Sequence, residues 1–185
     1  MKTRMDIIED FLKTNPTKGE FLEYYFKRKC LDKKRMLLIS KFCPLDVLDY
    51  FYNNPNVDKF IDGETILSYV LMNPICPIEF INDALARFGT KYLDVIVCNP
   101  NCPLELIEAM VHNKDFYVLK YVSARKRQEK NQTIDNSRKY KEEGLKSYSW
   151  LMILISCYGN CSKELRELAR TNHDKAKWES LKIKV

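Results

Sequence analysis

Apolar residues recur along this chain in short blocks at helical spacing, and Asn-Pro punctuates them. Residues 77–88, opening on Pro77, place Ile78, Phe80, Ile81, Ala84, Leu85 and Phe88 at i, i+3, i+4 and i+7 intervals, the pattern of an amphipathic helix. An apolar helix, Ile66–Met72, is expected before it, and another, Leu93–Cys98, after it. The blocks repeat in sequence as well as in pattern. Leu67 to Asp83 reads LSYVLMNPICPIEFIND and Leu93 to Ala109 reads LDVIVCNPNCPLELIEA, with 7 of 17 positions identical at an offset of 26 residues. Identical positions include Asn73/Asn99, Pro74/Pro100, Cys76/Cys102, Pro77/Pro103 and Glu79/Glu105.

Three weaker copies keep the register. They begin at Thr17 (TKGEFL), Cys43 (CPLDVL) and Cys161 (CSKEL). The five anchors are separated by 26, 33, 26 and 59 residues. The spacing of 33 contains an insertion around Asn53–Gly63, and the spacing of 59 contains a degenerate repeat plus a polar, charged insertion at about 125–149.

The repeat has a physical reading. Asn-Pro ends the first helix: Asn tolerates the left-handed conformation there, and Pro cannot continue a helix. The second Pro is expected at the first helical position, where its missing N–H costs nothing. Glu or Asp two residues later faces the positive end of the helix dipole. Thr17 and Glu20 have the spacing of a capping box, whereas Cys caps poorly and is expected as a small buried residue at the turn. One helix pair cannot bury its own apolar face, so five or six pairs are expected to stack as an all-α protein, a short α-solenoid forming one domain over 1–185.

With these motifs in view, the NP-x-CP-x-E-x-I units resemble the variant leucine-rich repeat. That family's units run Asn-Pro, then Thr-Pro, then Glu-Leu, and they belong with the HEAT-like helical repeats. The likeness covers about residues 11–113 and returns at 150–170. It implies a right-handed superhelix of paired short helices serving as a binding scaffold. This chain departs from the family in having Cys where Thr is usual, and in its insertions. It also lacks the N-terminal cysteine cluster with which some members hold an iron–sulfur cluster, so that role is not carried over.

Composition narrows the classes. The chain has 185 residues, of which 45% are hydrophobic and 30% charged, a core-forming mixture. Five Gly argue against phosphate-cradling loops and turn-dense β architecture. The longest apolar stretch, Trp150 to Tyr158, falls well short of the roughly 20 residues that span a bilayer. Asp6, Glu9 and Asp10 interrupt the place where a secretory signal would be apolar. Seven cysteines in apolar segments suit free thiols in a reducing, cytoplasmic compartment. A lean toward Lys, Asn, Ile, Tyr and Phe suggests an AT-rich genome and, with the small size, a phage or other viral accessory protein acting on a host factor.

The net charge of +6 is unevenly spread. Residues 24–41 carry +6, residues 42–113 carry −7, and residues 114–146 carry +5. The first basic zone supplies Lys27, Arg28, Lys33, Lys34 and Arg35 as candidate partner contacts. The second supplies Lys120, Arg125, Lys126, Arg127, Arg138 and Lys139, running off a helix from Phe116 to about Gln128 into a loop at Asn131–Ser137. Tyr24, Tyr25, Phe26, Tyr117, Tyr121 and Tyr140 are interleaved with these charges. Such patches bind nucleic acid by neutralising phosphates and stacking on bases; alternatively the charges form a solvated face and the rings turn into the core.

Enzyme chemistry finds little to work with. His112 and His173 lack partners at the spacing of a zinc protease or a triad. Cys98/Cys102 and Cys157/Cys161 share a C-x₃-C spacing, but position 98 aligns with Ile39 and Met72, a core slot. No P-loop, dinucleotide fingerprint or HExxH is present. Neither cofactor nor metal is expected. The expected function is a non-enzymatic module that captures a protein partner through its solenoid surface and the 125–149 insertion; the alternative is nucleic-acid binding through the two basic patches.

Overall fold

The computed structural model of the protein describes residues 4–114, 137–158 and 161–182. Among them every regular element is helical. The helices are α1 (Arg4–Leu12), α2 (Lys18–Phe26), α3 (Leu31–Ile39), α4 (Leu45–Asn53), α5 (Gly63–Met72), α6 (Ile78–Phe88), α7 (Leu93–Ile96), α8 (Leu104–His112), α9 (Ser137–Tyr158) and α10 (Lys163–Lys182), with a 3-10 turn at Pro55–Val57. None of these helices is long and apolar enough to cross a membrane. The chain packs as two compact units, residues 1–101 and 102–185.

In the first unit the repeat frame is visible in the helix starts. Thr17 caps α2 through a capping box: its side chain accepts from the Glu20 N–H, and the Glu20 carboxylate accepts from the Thr17 N–H at 2.8 Å. Thr17→Ala should therefore cost about 1 kcal/mol in thermal unfolding. The prolines sit one residue earlier than expected. Pro44 and Pro77 are N-caps with ψ of 141° and 143°, not first helical residues. Their extended ψ turns the chain into the helix, and their carbonyls accept the first helical bonds from Leu48 and Ile81. The preceding Cys43 and Cys76 are buried, as their turn position implies.

The asparagines do something other than turn left-handed. Asn73 has φ −65° and ψ 129°, the extended geometry that the following proline imposes. Its side chain is fully buried and reaches back one repeat, donating to the Leu38 and Ser40 carbonyls at 2.5 and 2.9 Å. Asn99 repeats the arrangement on the next copy, donating to Leu71 and Asn73 at 2.7 and 2.8 Å. In both, the side-chain oxygen accepts the N–H two residues on, from Ile75 and Asn101 at 2.8 Å. The acceptors align in the repeat frame: Leu38 with Leu71, and Ser40 with Asn73. One asparagine per repeat thus satisfies carbonyls orphaned at the end of the preceding repeat's first helix. A left-handed asparagine does occur, at Asn15 (φ 52°) before Pro16, where α1 ends.

Apolar packing completes this unit. Leu37, Leu38, Val47, Leu48, Phe51, Ile66, Val70, Leu71, Ile81 and Ile96 are buried. Tyr52 stacks on Phe80 at 4.4 Å and donates to Asp83 at 2.6 Å, tying α4 to α6.

In the second unit α9 and α10 form a helical hairpin, with Tyr148 near Asn172 and Ser149 on His173. Tyr148 and Asn172 both donate to the Val111 carbonyl of α8, at 3.2 and 2.7 Å. Ser162, at the repeat position of the capping proline, accepts the Leu165 N–H at 3.2 Å. Within the segment expected as a basic insertion at about 125–149, α9 starts at Ser137 and runs unbroken into the apolar stretch. Tyr140, Leu145 and Tyr148 of that segment are buried, which gives it a packed face rather than a loop's exposure.

Candidate functional site

The first basic zone spans the end of α2, the turn, and α3. Lys27, Lys29 and Arg35 are exposed, while Arg28 and Lys33 are half-buried. Lys27 pairs with Glu23 one turn earlier at 2.5 Å. The Arg28 guanidinium lies over the Tyr24 ring at 3.9 Å, and the other face of Tyr24 is stacked on Phe11, also at 3.9 Å.

Lys34 is not a surface charge. It is 1% exposed and pairs with Asp58, equally buried, from the insertion. Its ammonium also lies 4.8 Å from the Tyr25 ring centre, 5.9 Å from Phe26 and 5.3 Å from Phe60. Its charge is therefore spent inside the fold, and Lys34 is withdrawn as a partner contact. Burial raises the Asp58 carboxyl pKa, but the Lys34 ammonium and the Phe60 N–H outweigh it and hold the group below its ordinary value of 3.8. Burial and the neighbouring Asp58 carboxylate push the Tyr25 phenol up.

The seven residues by which this repeat exceeds 26 thus have a structural task that the sequence left unassigned. The Asp58 carboxylate accepts both from Lys34 and from the Phe60 N–H, the latter at 2.9 Å. Asp62 caps α5 by accepting the Thr65 N–H at 2.8 Å. The Asn56 side chain occupies the space a Cβ on Gly63 would need, only 2.2 Å from that position. Held this way, Phe60 stands 68% exposed, and Phe26, which lies near the same Lys34 ammonium, 40%. Leu31, one turn before Lys34 on α3, is 50% exposed.

Of the second basic zone, Lys120, Arg125, Lys126 and Arg127 lie outside the described residues, as do Tyr117, Tyr121 and the side chain of Arg138. So do the helix expected from Phe116 and most of the loop expected before Ser137. Lys139 is exposed on α9, and its neighbour Tyr140 is buried.

One histidine is engaged structurally. His173 Nδ1 lies 2.8 Å from the Ser149 carbonyl and 3.0 Å from the Ser149 hydroxyl. A carbonyl only accepts, so this nitrogen carries the proton and is no base toward the hydroxyl. A cleft of about 260 Å³ in the second unit gathers Glu108, His112 and Glu164 over Leu104, Leu165 and Leu168. Among the described residues no three His, Cys, Asp or Glu side chains converge as a metal site. Burial raises the pKa of the Cys76 thiol to about 12, so it is not a thiolate nucleophile at neutral pH.

The chain matches no family model, no curated protein and no solved structure.

Proposed function

We propose that this protein is a non-enzymatic binding module: a short α-solenoid, of the variant leucine-rich repeat kind, that captures a protein partner. The partner surface is the exposed cationic edge of α2 and α3, with Lys27, Lys29 and Arg35; the basic residues from Lys120 to Lys139 are proposed as separate further contacts. The observation that carries this reading is the company those cations keep. Phe26, Leu31 and Phe60 are exposed among them, and the combination of apolar anchors with flanking charge is what a protein interface uses. The asparagine bonds, recurring at one place in successive repeats, support the stacked-repeat frame.

Nucleic-acid binding is the weaker reading for a specific reason. Stacking on bases needs free ring faces. Tyr25 and Tyr140 are buried, and Tyr24 is covered on both faces, by Phe11 and Arg28, so among the described rings interleaved with the charges only Phe26, and Phe60 of the insertion, are exposed.

The test is affinity capture from the native cell after nuclease treatment, comparing wild type with a Lys29→Glu/Arg35→Glu variant. A partner protein should be recovered by wild type and lost from the variant. The variant's thermal stability should stay within about 0.5 kcal/mol of wild type, because both side chains are exposed. Capture that disappears with nuclease, together with a log affinity for RNA or DNA falling against log salt at a slope of about −4 to −5, would install the nucleic-acid reading instead.

A further inference from the structure

We propose that Phe60, with Phe26 and Leu31, forms a preformed anchor site for an acidic, amphipathic segment of the partner protein. The inference rests on the binding-module reading and gives the partner its chemistry.

The first argument is preorganisation. An exposed phenylalanine on a loose loop would surrender conformational freedom on binding, and much of its burial energy would be lost to ordering. Phe60 is not on such a loop. Its backbone N–H is fixed by Asp58, Asp58 is fixed by the buried Lys34 ammonium, Asp62 caps the start of α5, and Asn56 lies close against Gly63 there. Phe26 lies against the same ammonium from α2, so two exposed rings from separate elements share one buried support. A rigid exposed aromatic next to a second apolar group is the composition of an interface hot spot.

The second argument is charge. Lys59 beside Phe60, Lys27 beside Phe26, and Lys29 and Arg35 on the turn and α3 are exposed. Residues 24–41 contain one acid, Asp32, against seven bases. Of the other carboxylates close in sequence, Asp58 is buried and neutralised by Lys34, Glu23 is paired with Lys27, Asp62 is bonded to Thr65 and Glu64 is paired with Lys91. Apolar anchors ringed by cations select a ligand that presents apolar residues among Glu and Asp.

The experiment uses the full chain and a fluorescein-labelled 15-residue peptide of Glu with Phe and Leu at i, i+3 and i+4 positions, read by anisotropy. A second peptide carries Gln in place of Phe and Leu at the same charge. The first peptide should bind about tenfold or more tightly than the second, and Phe60→Ser should weaken it by about tenfold or more. Phe60→Ser should lower the melting temperature by about 4 °C at most, the worth of the ring's contact with the Lys34 ammonium, because the ring is otherwise 68% exposed. Lys59→Glu/Arg35→Glu should weaken binding and flatten its salt dependence.

Equal binding of the two peptides, or indifference to Phe60→Ser, would overturn the inference. So would a single-stranded RNA that binds with the same dependence on Phe60, or a self-association of the protein that Phe60→Ser abolishes. Capture of a cellular partner lost on Lys29→Glu/Arg35→Glu but retained on Phe60→Ser would overturn this inference while leaving the binding-module reading in place.

Discussion

Asp58→Asn should cost the protein about 3–5 kcal/mol of stability, the usual consequence of leaving one partner of a buried ion pair unmatched. The amide that replaces the carboxylate can still accept from the Phe60 N–H, but the Lys34 ammonium, 1% exposed, loses its counter-charge. Lys34→Met/Asp58→Asn should recover most of the loss, since it removes the stranded charge and fills the stem's space with an apolar chain. A double variant as unstable as the single one would mean that Asp58 acts through something other than Lys34. The pH dependence has a definite sign. Because the folded carboxyl is held below 3.8, its contribution is complete above the unfolded value and is lost as pH falls through the lowered one. The gap in melting temperature between wild type and Asp58→Asn should be full at neutral pH and should narrow in acid below 3.8.

Asn99→Ala should cost about 2–4 kcal/mol in urea unfolding. The substitution strips hydrogen bonds from the Leu71 and Asn73 carbonyls and from the Asn101 N–H, and each buried orphan costs about 1–3 kcal/mol. Asn73→Ala should behave alike, because the same three bonds recur there. Asn113→Ala provides the contrast. Its side chain is exposed and bonds within its own helix end, to Ala109, so its loss should stay within about 0.5 kcal/mol. Equal effects at all three positions would mean that the buried asparagines carry no inter-repeat load.

These two residues also show what a sequence can and cannot disclose. Local features were legible, since their physics lies within a few residues. The capping box at Thr17 and Glu20, the helix expected over 77–88 and found over Ile78–Phe88, and the buried cysteines at the turns all follow from spacing. Asn73 and Asn99 were picked out by their recurrence, but local logic assigned them a left-handed turn. Their actual bonds run 26 to 35 residues back along the chain, where no spacing rule applies. Lys34 looked like its six basic neighbours in residues 24–41. Only the fold brings Asp58, 24 residues away, onto it. The same contact explains the insertion, which in sequence is simply a departure from a period of 26 and in the structure seats an acid in the core and a phenylalanine at the surface.

Hydrogen-exchange footprinting of the captured complex against the free protein tests most directly whether this surface is where the partner sits. Slowed exchange should fall on residues 24–35 and 58–61, with α6, Ile78–Phe88, unchanged. Protection confined to α6 or to the acidic faces of α4 and α8, with residues 24–35 and 58–61 exchanging as in the free protein, would contradict it.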